Sequence, residues 1–283
     1  MSFNFNRSNG ILANTPPVVK NIILINAVIF LACNVFPSVF GIRLSSILAF
    51  YNIGTNEFRP YQIVTYMFTH EDFMHAFFNL FAVWMFGRIM EITWGSKKFF
   101  IYYMATGIGA ILFNSLVSWG GVLYVRHAAD ALLANLDPNS LMVFIKHYFP
   151  HVDQNMIASF FEKWSQDPDN PSNIAFAKEI IAQLTEGPMP SPTIGASGAV
   201  FGILLAYGMT YPNTIMMLIF PPIPMKAKYF VMGYGLLELW SGISNSPTDN
   251  IAHFAHLGGM VFGFILIKMW KKKGIGSNPR MDF

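Results

Sequence analysis

The sequence predicts an all-α, polytopic membrane protein, and two observations lead to this fold class. First, hydrophobic residues make up 53% of the 283 residues and charged residues only 12%, against roughly 25% charged residues in soluble domains. A soluble core of this size could not bury that much apolar surface, including 28 Phe and 17 Met. Second, apolar segments that approach the length of a bilayer crossing recur along the chain. We therefore predict a bundle of membrane helices.

Six apolar segments are the candidate membrane helices. Several are shorter than the roughly 20 residues that a full crossing needs, which indicates a thinned bilayer or helices that begin below its surface. The first follows Pro16-Pro17 without a small-residue cleavage site, so we predict a retained helix rather than a signal peptide. The segments are residues 20–36, 73–92, 99–119, 195–211, 229–243 and 251–270.

Lysine and arginine predict the orientation of these helices, because basic residues concentrate on the cytoplasmic side of a membrane. With both termini in the cytoplasm, 12 of the 18 basic residues lie inside. The reverse orientation would translocate the Lys271–Lys273 run. The inside residues are Arg7, Lys20, Arg88, Lys97, Lys98, Lys226, Lys228, Lys268, Lys271, Lys272, Lys273 and Arg280.

This topology divides the chain into five parts. They are a cytoplasmic segment (1–17), three membrane helices with an external loop at 41–72 (18–119), an external insert (120–190), three further membrane helices (191–270) and a basic cytoplasmic tail (271–283). The insert carries eight acidic residues against four basic ones. It is predicted to be partly helical, since Asn139 and Asp153 can cap helices and residues 174–184 have helical apolar spacing.

Polar side chains stand out on three of the apolar segments. His75 and Asn79 are four residues apart and share one helix face, where they serve either chemistry or interhelical hydrogen bonding. Glu238 in the fifth segment is a functional candidate for the same reason, although we expect it to extend toward the external surface. His256 and His253 lie in the sixth segment.

Ser197 lies among glycines at the start of the fourth segment. Gly198 and Gly202 form a small-xxx-small pair, so the serine could be one more packing residue. At a helix N-terminus, however, its backbone N–H is unpaired and can stabilise an acyl oxyanion.

The sixth segment has a matching glycine face. Gly259 and Gly263 lie three and seven residues after His256, in phase with its imidazole. Close contact between the two glycine faces would bring His256 within hydrogen-bond reach of Ser197, as a general base requires. His253 competes for this role but lacks glycines in phase with it.

Four motifs together resemble the rhomboid family of intramembrane serine proteases, in the family's order. Residues 69–79 resemble the His-x-x-x-Asn helix through His75 and Asn79, and Gly87, Glu91 and Gly95 match G-x-x-x-E-x-x-x-G. Gly195-Ala196-Ser197-Gly198 matches the nucleophile motif. Ala255-His256-Leu257-Gly258-Gly259 matches the catalytic-histidine motif.

The resemblance implies a six-helix rhomboid bundle and a role for each matched residue. Ser197 is the expected nucleophile and His256 the general base of a two-residue dyad, with no aspartate orienting the imidazole. His75, Asn79 and the Ser197 amide are the expected oxyanion hole. An aromatic residue is expected to stack on the imidazole, and Phe201 is in the right place. Glu91, with its glycines and Arg59, is expected to be structural.

Two features depart from the family pattern. The first external loop carries Phe58-Arg59 where the family often has Trp-Arg, and the indole N–H is therefore lost. The long insert at 120–190 stands where a short loop is expected, which bears on substrate access rather than on the catalytic residues.

The implied function is a serine endopeptidase that cuts single-span membrane proteins through an acyl-enzyme, in a bacterial inner membrane, with no cofactor, metal or nucleic acid. Because a membrane helix has no free carbonyls, substrates should carry Gly, Pro or polar residues near the cut.

Two alternatives stay open. One is an inactive relative that only binds membrane helices. The other is a metalloenzyme with ligands among His70, Glu71, Asp72, His75, His253 and His256.

Overall fold

The computed structural model describes residues 14–150, 152–186, 192–217, 222–244 and 252–272. Within these ranges the chain is mostly helical, with one short antiparallel ribbon in which Met216 pairs with Met225. The elements are α1 Pro17–Phe40, α2 Leu44–Leu48, α3 Gln62–Thr65, α4 Phe73–Ala82, α5 Arg88–Trp94, α6 Ser96–Ala134, α7 Pro138–Tyr148, α8 Gln154–Gln166, α9 Pro171–Glu186, α10 Ser197–Thr210, β1 Ile215–Met217, β2 Pro224–Lys226, α11 Ala227–Ser244 and α12 His253–Lys272. The loop at 245–250 and the tail beyond Lys272 lie outside the described residues.

Four helical segments of the described chain are long and apolar enough to cross a membrane: α1, the segment Phe73–Trp94, α6 and α12. The second of these comprises α4 and α5 joined by a π-helical turn at Val83–Gly87. The remaining two predicted segments correspond to α10, which has 14 residues, and α11, which has 18. Each predicted segment is thus helical, with ends that differ by a few residues.

The third predicted segment is the exception, because α6 has 39 residues and continues to Ala134 rather than ending at 119. Gly120 and Gly121 weaken a helix by only about 1 kcal/mol each relative to Ala, and proline does not follow until Pro138. The predicted boundary at 119/120 is therefore wrong as a helix end. The two compact units of the chain also divide earlier, between Asn114 and Ser115.

Asp137, not Asn139, caps the first helix of the insert. Its carboxylate accepts hydrogen bonds from the amides of Asn139 and Ser140 at 2.9 and 3.1 Å, and Pro138 occupies the first helical position, where its missing N–H costs nothing. A hydrogen bond from the Ser140 hydroxyl, together with those from the Ser140 and Asn139 amides, holds the pKa of Asp137 below its ordinary value. The predicted cap at Asn139 is wrong, because the capping residue lies two positions earlier, directly before Pro138.

Each compact unit has its own hydrophobic core. The larger unit, formed by the helices before Asn114 and those after Ser191, has α10 at its centre. Ten of the 14 residues of α10 are buried, as expected for a helix that is apolar on all sides. The smaller unit contains the helical insert, and its core is Ala129, Leu141, Phe144, Ile145, Phe161, Trp164, Ala177 and Ile181.

Candidate active site

Ser197 and His256 are joined by a hydrogen bond in the larger unit. The Oγ atom of Ser197 lies 2.8 Å from Nε2 of His256. Ser197 is the first residue of α10 and is half-buried, whereas His256 lies in the first turn of α12 and is 9% exposed. It is His256, the residue favoured over His253 in the sequence, that makes this contact.

Glycines allow α10 and α12 to approach this closely. A Cβ atom at Gly259 would overlap the carbonyl oxygen of Gly198, and one at Gly198 would meet the Ala255 oxygen at 3.4 Å and the Ala110 methyl more closely still. A larger residue at Gly259 would therefore separate the backbones that carry the nucleophile and the base.

The other two predicted packing glycines face a different helix. Side chains at Gly202 and Gly263 would collide with Thr106 and Tyr102 of α6 respectively, and the Tyr102 hydroxyl donates to the Gly202 oxygen at 2.8 Å. The prediction of one α10–α12 glycine interface is therefore incomplete, since Gly202 and Gly263 make room for α6, and Gly198 lies against Ala110 of α6 as well as against α12. Sequence spacing gives the face of a helix but not the neighbour on that face.

His75 lies beside the loop that leads into Ser197. Gly195 has a φ of 119°, which side-chain-bearing residues rarely adopt, and a Cβ atom there would lie 2.7 Å from Nε2 of His75. The Gly195 amide also donates to the backbone carbonyl oxygen of Tyr66 at 2.9 Å. The glycine is thus needed both for the turn and for the close approach of the His75 ring.

Asn79 is buried, and its side chain is turned toward its own helix. Its Nδ2 donates to the His75 carbonyl oxygen at 2.9 Å, which leaves one of the two amide hydrogens for another acceptor. The Ser197 amide belongs to the first turn of α10, where backbone N–H groups have no partner within the helix. The structure therefore gathers His75 and the Ser197 amide near the nucleophile, while Asn79 is bonded one turn away.

Phe201 stacks on the imidazole of His256. The ring centroids are 4.2 Å apart with an interplanar angle of 8°. The stack continues through Tyr234 at 5.1 Å and then Phe230, both on α11. The stacking of Phe201 on His256 agrees with what the family resemblance implied. No sequence pattern indicated the further stacking of Tyr234 and Phe230.

Glu238 contradicts the expectation that it extends to the external surface. It is 8% exposed, and its Oε2 lies 2.8 Å from Nδ1 of His256. No aspartate was expected beside the imidazole, and the carboxylate that lies there is a glutamate. An ionisable residue in an apolar segment indicated that Glu238 is unusual. Only the packing of α11 against α12 shows that its partner is His256.

The same carboxylate oxygen also contacts His253, at 2.6 Å from Nδ1. Among the described residues, Glu238, His253 and His256 form the group near enough to share a metal ion, with ligand atoms within 4.8 Å of one another. The predicted six-residue ligand set is not reproduced as one group.

His70 packs against His75 edge-on, with ring centroids 5.1 Å apart. It is 3% exposed, and neither of its ring nitrogens has a hydrogen-bond partner among the described residues. Burial, and secondarily the neighbouring His75, lower the pKa of His70 to about 4. His70 is therefore neutral at physiological pH, and His75 has no cationic neighbour on that side.

Glu91 binds the N-terminus of α1. Its carboxylate accepts the backbone N–H groups of Val18 and Val19 at 3.0 and 2.8 Å, and the hydroxyl of Ser96 at 2.7 Å. An anion at this end of a helix meets unpaired amides and the positive end of the helix dipole. The G-x-x-x-E-x-x-x-G motif thus joins the beginnings of α1 and α6 to the end of α5.

The glycines of that motif and Arg59 shape the surrounding chain. A Cβ atom at Gly87 would lie 3.1 Å from Phe99, and Gly95 ends α5 with a φ of 81°. Nη1 of the exposed Arg59 donates to the carbonyl oxygens of Asn56 and Phe58 at 2.8 and 2.7 Å. Gly87 thus leaves room for the Phe99 side chain, Gly95 provides the turn at the end of α5, and Arg59 binds backbone oxygens of its own loop.

Comparison with known proteins gives one family and two relatives. The Rhomboid domain matches residues 57–124 and 173–273. "Rhomboid-like protein 11, chloroplastic" of Arabidopsis thaliana is 38% identical over 98 residues, 35% of this chain and 31% of the relative. "RHOMBOID-like protein 12, mitochondrial" of the same plant is 24% identical over 244 residues, 86% of this chain and 55% of the relative. The chain therefore matches about a third to a half of the length of these relatives.

Proposed function

The chain belongs to the rhomboid family of intramembrane proteases, and from this premise we propose that it is a serine endopeptidase with Ser197 as nucleophile and His256 as general base. The observation that carries the proposal is the 2.8 Å hydrogen bond between Ser197 Oγ and His256 Nε2. A serine hydroxyl becomes an effective nucleophile when an adjacent imidazole can take its proton.

The proposed reaction proceeds in two steps through an acyl-enzyme. Ser197 Oγ attacks the carbonyl carbon of a substrate peptide bond while its proton moves to Nε2 of His256. The tetrahedral intermediate collapses to an ester on Ser197, and His256 gives its proton to the departing amine. Water then attacks the ester with His256 again as base, which releases the acid product and restores Ser197.

We assign the oxyanion hole to the Ser197 amide, His75 and Asn79. The first-turn amide of α10 and the position of His75 against Gly195 support this assignment. The hydrogen bond of Asn79 to its own helix leaves one amide hydrogen free, and we expect this side chain to contribute once substrate is bound. Donors of this kind stabilise the charge that develops in the transition state.

We propose a bundle of six membrane helices by adding α10 and α11 to the four long apolar helices. Fourteen residues of α10 span about 21 Å at 1.5 Å per residue, less than the roughly 30 Å of a hydrocarbon core. A helix surrounded by its neighbours needs no full crossing, and Ser197 at its start would then lie below the membrane surface. Chemistry below the surface fits membrane-embedded substrates.

The protein is an integral membrane protein, and we propose that both termini face the cytoplasm. The positive-inside distribution of 12 of 18 basic residues supports this orientation. Location in a bacterial inner membrane, and substrates that are single-span proteins with Gly, Pro or polar residues near the cut, are proposals of the same kind. Cell fractionation and protease accessibility of tagged termini test the location and the orientation.

A membrane metalloenzyme is the second candidate, favoured by the closeness of Glu238, His253 and His256. Two imidazoles and a carboxylate are common ligands of catalytic zinc. Dialysis against a chelator, with metal content measured before and after, separates the two candidates, because serine chemistry survives metal removal.

A fluorophosphonate probe tests the proposed function directly. Purified full-length protein in lipid vesicles is incubated with the probe, and the labelled residue is located by mass spectrometry. We expect labelling at Ser197 and its loss in Ser197→Ala, together with cleavage of a single-span substrate by the unmodified protein. If the folded wild-type protein shows no labelling and no cleavage, the result would favour an inactive relative instead.

A further inference from the structure

We propose that Glu238 is a positioning residue for His256, so that catalysis uses a hydrogen-bonded chain of Glu238, His256 and Ser197. This inference rests on the proposed function and extends it by a third residue. The chain links three helices, α11, α12 and α10, and each of its two hydrogen bonds is 2.8 Å long.

The position of the carboxylate selects the tautomer of His256. A carboxylate only accepts hydrogen bonds, so Nδ1 of His256 must carry the proton that points to Oε2. Nε2 then presents its lone pair to the Ser197 hydroxyl, as a base must. The opposite tautomer would set two acceptors against each other 2.8 Å apart.

His253 holds the carboxylate in place. Its Nδ1 lies 2.6 Å from the same Oε2 atom, so one oxygen receives donors from two imidazoles. A carboxylate buried within a membrane bundle is costly unless it is hydrogen-bonded or paired. The two imidazoles meet that requirement, and they explain why an ionisable residue can occupy a buried position of α11.

Tyr234 lies one turn before Glu238 on α11 and extends the stack of Phe201 on the imidazole. The edge of the His256 ring is thus fixed by Glu238, and its face is fixed by a stack that reaches the same helix. When His256 accepts the Ser197 proton, the resulting imidazolium lies beside a carboxylate, which stabilises it without taking the proton.

The test compares Glu238→Gln and Glu238→Asp with Glu57→Gln, which changes an exposed carboxylate of the same unit. For each variant in vesicles we would measure kcat, KM, the rate of fluorophosphonate labelling at Ser197 and the unfolding temperature. We expect E238Q to lower kcat and the labelling rate by roughly 10²–10⁴-fold with little change in KM. E238D should recover part of the loss, and E57Q should behave as wild type.

A double variant separates positioning from a purely structural role. If Glu238 acts through His256, adding E238Q to His256→Ala should not lower the residual rate further, because residues that act as a unit are not additive. A further loss equal to that of E238Q alone would overturn the proposal. If E238Q does not fold, E238D and His253→Ala give the same readouts.

Three further outcomes have distinct meanings. Full-rate labelling of E238Q at Ser197 would refute the role of Glu238 and leave the proposed function intact. Absence of labelling in the folded wild type would refute the proposed function, and this inference with it. Bound metal in the wild type, lost together with activity on chelation and in E238Q, would make Glu238 a ligand and refute its positioning role.

Discussion

At the scale of single residues, the proposed chemistry depends on which atoms of Ser197, His256 and Glu238 face each other. The imidazole has two nitrogens with different partners, Oγ of Ser197 on one side and Oε2 of Glu238 on the other. A base that is held by both nitrogens and stacked on Phe201 keeps one orientation, and this reduces the reorganisation that proton transfer requires.

Removing either member of the proposed Ser197–His256 pair should abolish cleavage. We expect Ser197→Ala, His256→Ala and the double variant to show about the same residual rate, because the pair acts as one unit. Steady-state cleavage of a membrane substrate measures this, with unfolding temperature as a check on folding. An active H256A together with an inactive His253→Ala would reassign the base.

The oxyanion assignment makes a separate prediction for His75 and Asn79. Substituting either with Ala should lower kcat by roughly 10²–10³-fold if each donates to the developing charge, with a much smaller change in KM. Both constants should be measured on the same substrate. A change confined to KM would favour the alternative that this helix face serves packing only.

At the scale of elements, the site depends on how helix ends and helix faces meet. The N-terminus of α1 is bound by Glu91, and the start of α12 lies against the start of α10 at Gly259 and Gly198. Each contact joins segments far apart in sequence, so each lets a single substitution test the packing of two helices.

Glu91→Ala should destabilise the protein by roughly 2–5 kcal/mol, because it leaves the Val18 and Val19 amides and the Ser96 hydroxyl without their acceptor. Glu91→Gln should cost less, since its carbonyl oxygen still accepts. The free energy of unfolding in detergent measures both. Glu57→Ala, at an exposed carboxylate, is the control, and equal stability of E91A and E57A would contradict the capping role.

Gly259→Ala should lower activity by roughly 10²-fold or more, because the added methyl group forces α12 away from the Gly198 carbonyl and misplaces His256. The matched control is Gly233→Ala, where the added Cβ meets no atom within 4 Å. Alanine generally favours helices over glycine, so G233A should be neutral or stabilising. Full activity of G259A would show that the two helices tolerate separation.

At the scale of the whole molecule, the described chain has two cores that do not share residues. The larger surrounds α10, and the smaller lies in the insert around Trp164, which is fully buried and donates its Nε1–H to the Pro168 oxygen at 3.1 Å. The proposed catalytic residues all belong to the larger unit. Stability of the insert and labelling of Ser197 can therefore be measured separately.

Trp164→Ala should weaken the insert by about 3–5 kcal/mol through loss of a buried aromatic side chain, while labelling at Ser197 continues at the wild-type rate. Limited proteolysis should then cut within residues 115–190 at lower protease concentrations. Val143→Ala, at a residue 58% exposed, is the control. Loss of labelling in W164A together with the expected nicking would show that catalysis depends on a folded insert.

Local pattern was sufficient to predict the helices and the motif residues. Apolar length gave all six predicted segments, and glycine spacing in phase with His256 gave its contact with Ser197. Apolar length failed at the end of α6, because two glycines do not stop a helix that no proline interrupts. Glycine spacing could not identify the helix that packs on each glycine, and Gly202 and Gly263 face α6 rather than each other's helix.

The sequence by itself determined the membrane class, the positions of the helices, the family motifs and the pairing of Ser197 with His256, since all of these depend on spacing within one segment or on matched motifs. Only the tertiary structure decided the partner of Glu238, the stack through Tyr234 and the binding of Glu91 to the start of α1. Each of these contacts joins residues 15 to 73 positions apart. The physical reason is that a buried polar group must find donors or acceptors among the groups that the fold brings to it. The spacing of residues along one helix does not show which groups of other helices these are.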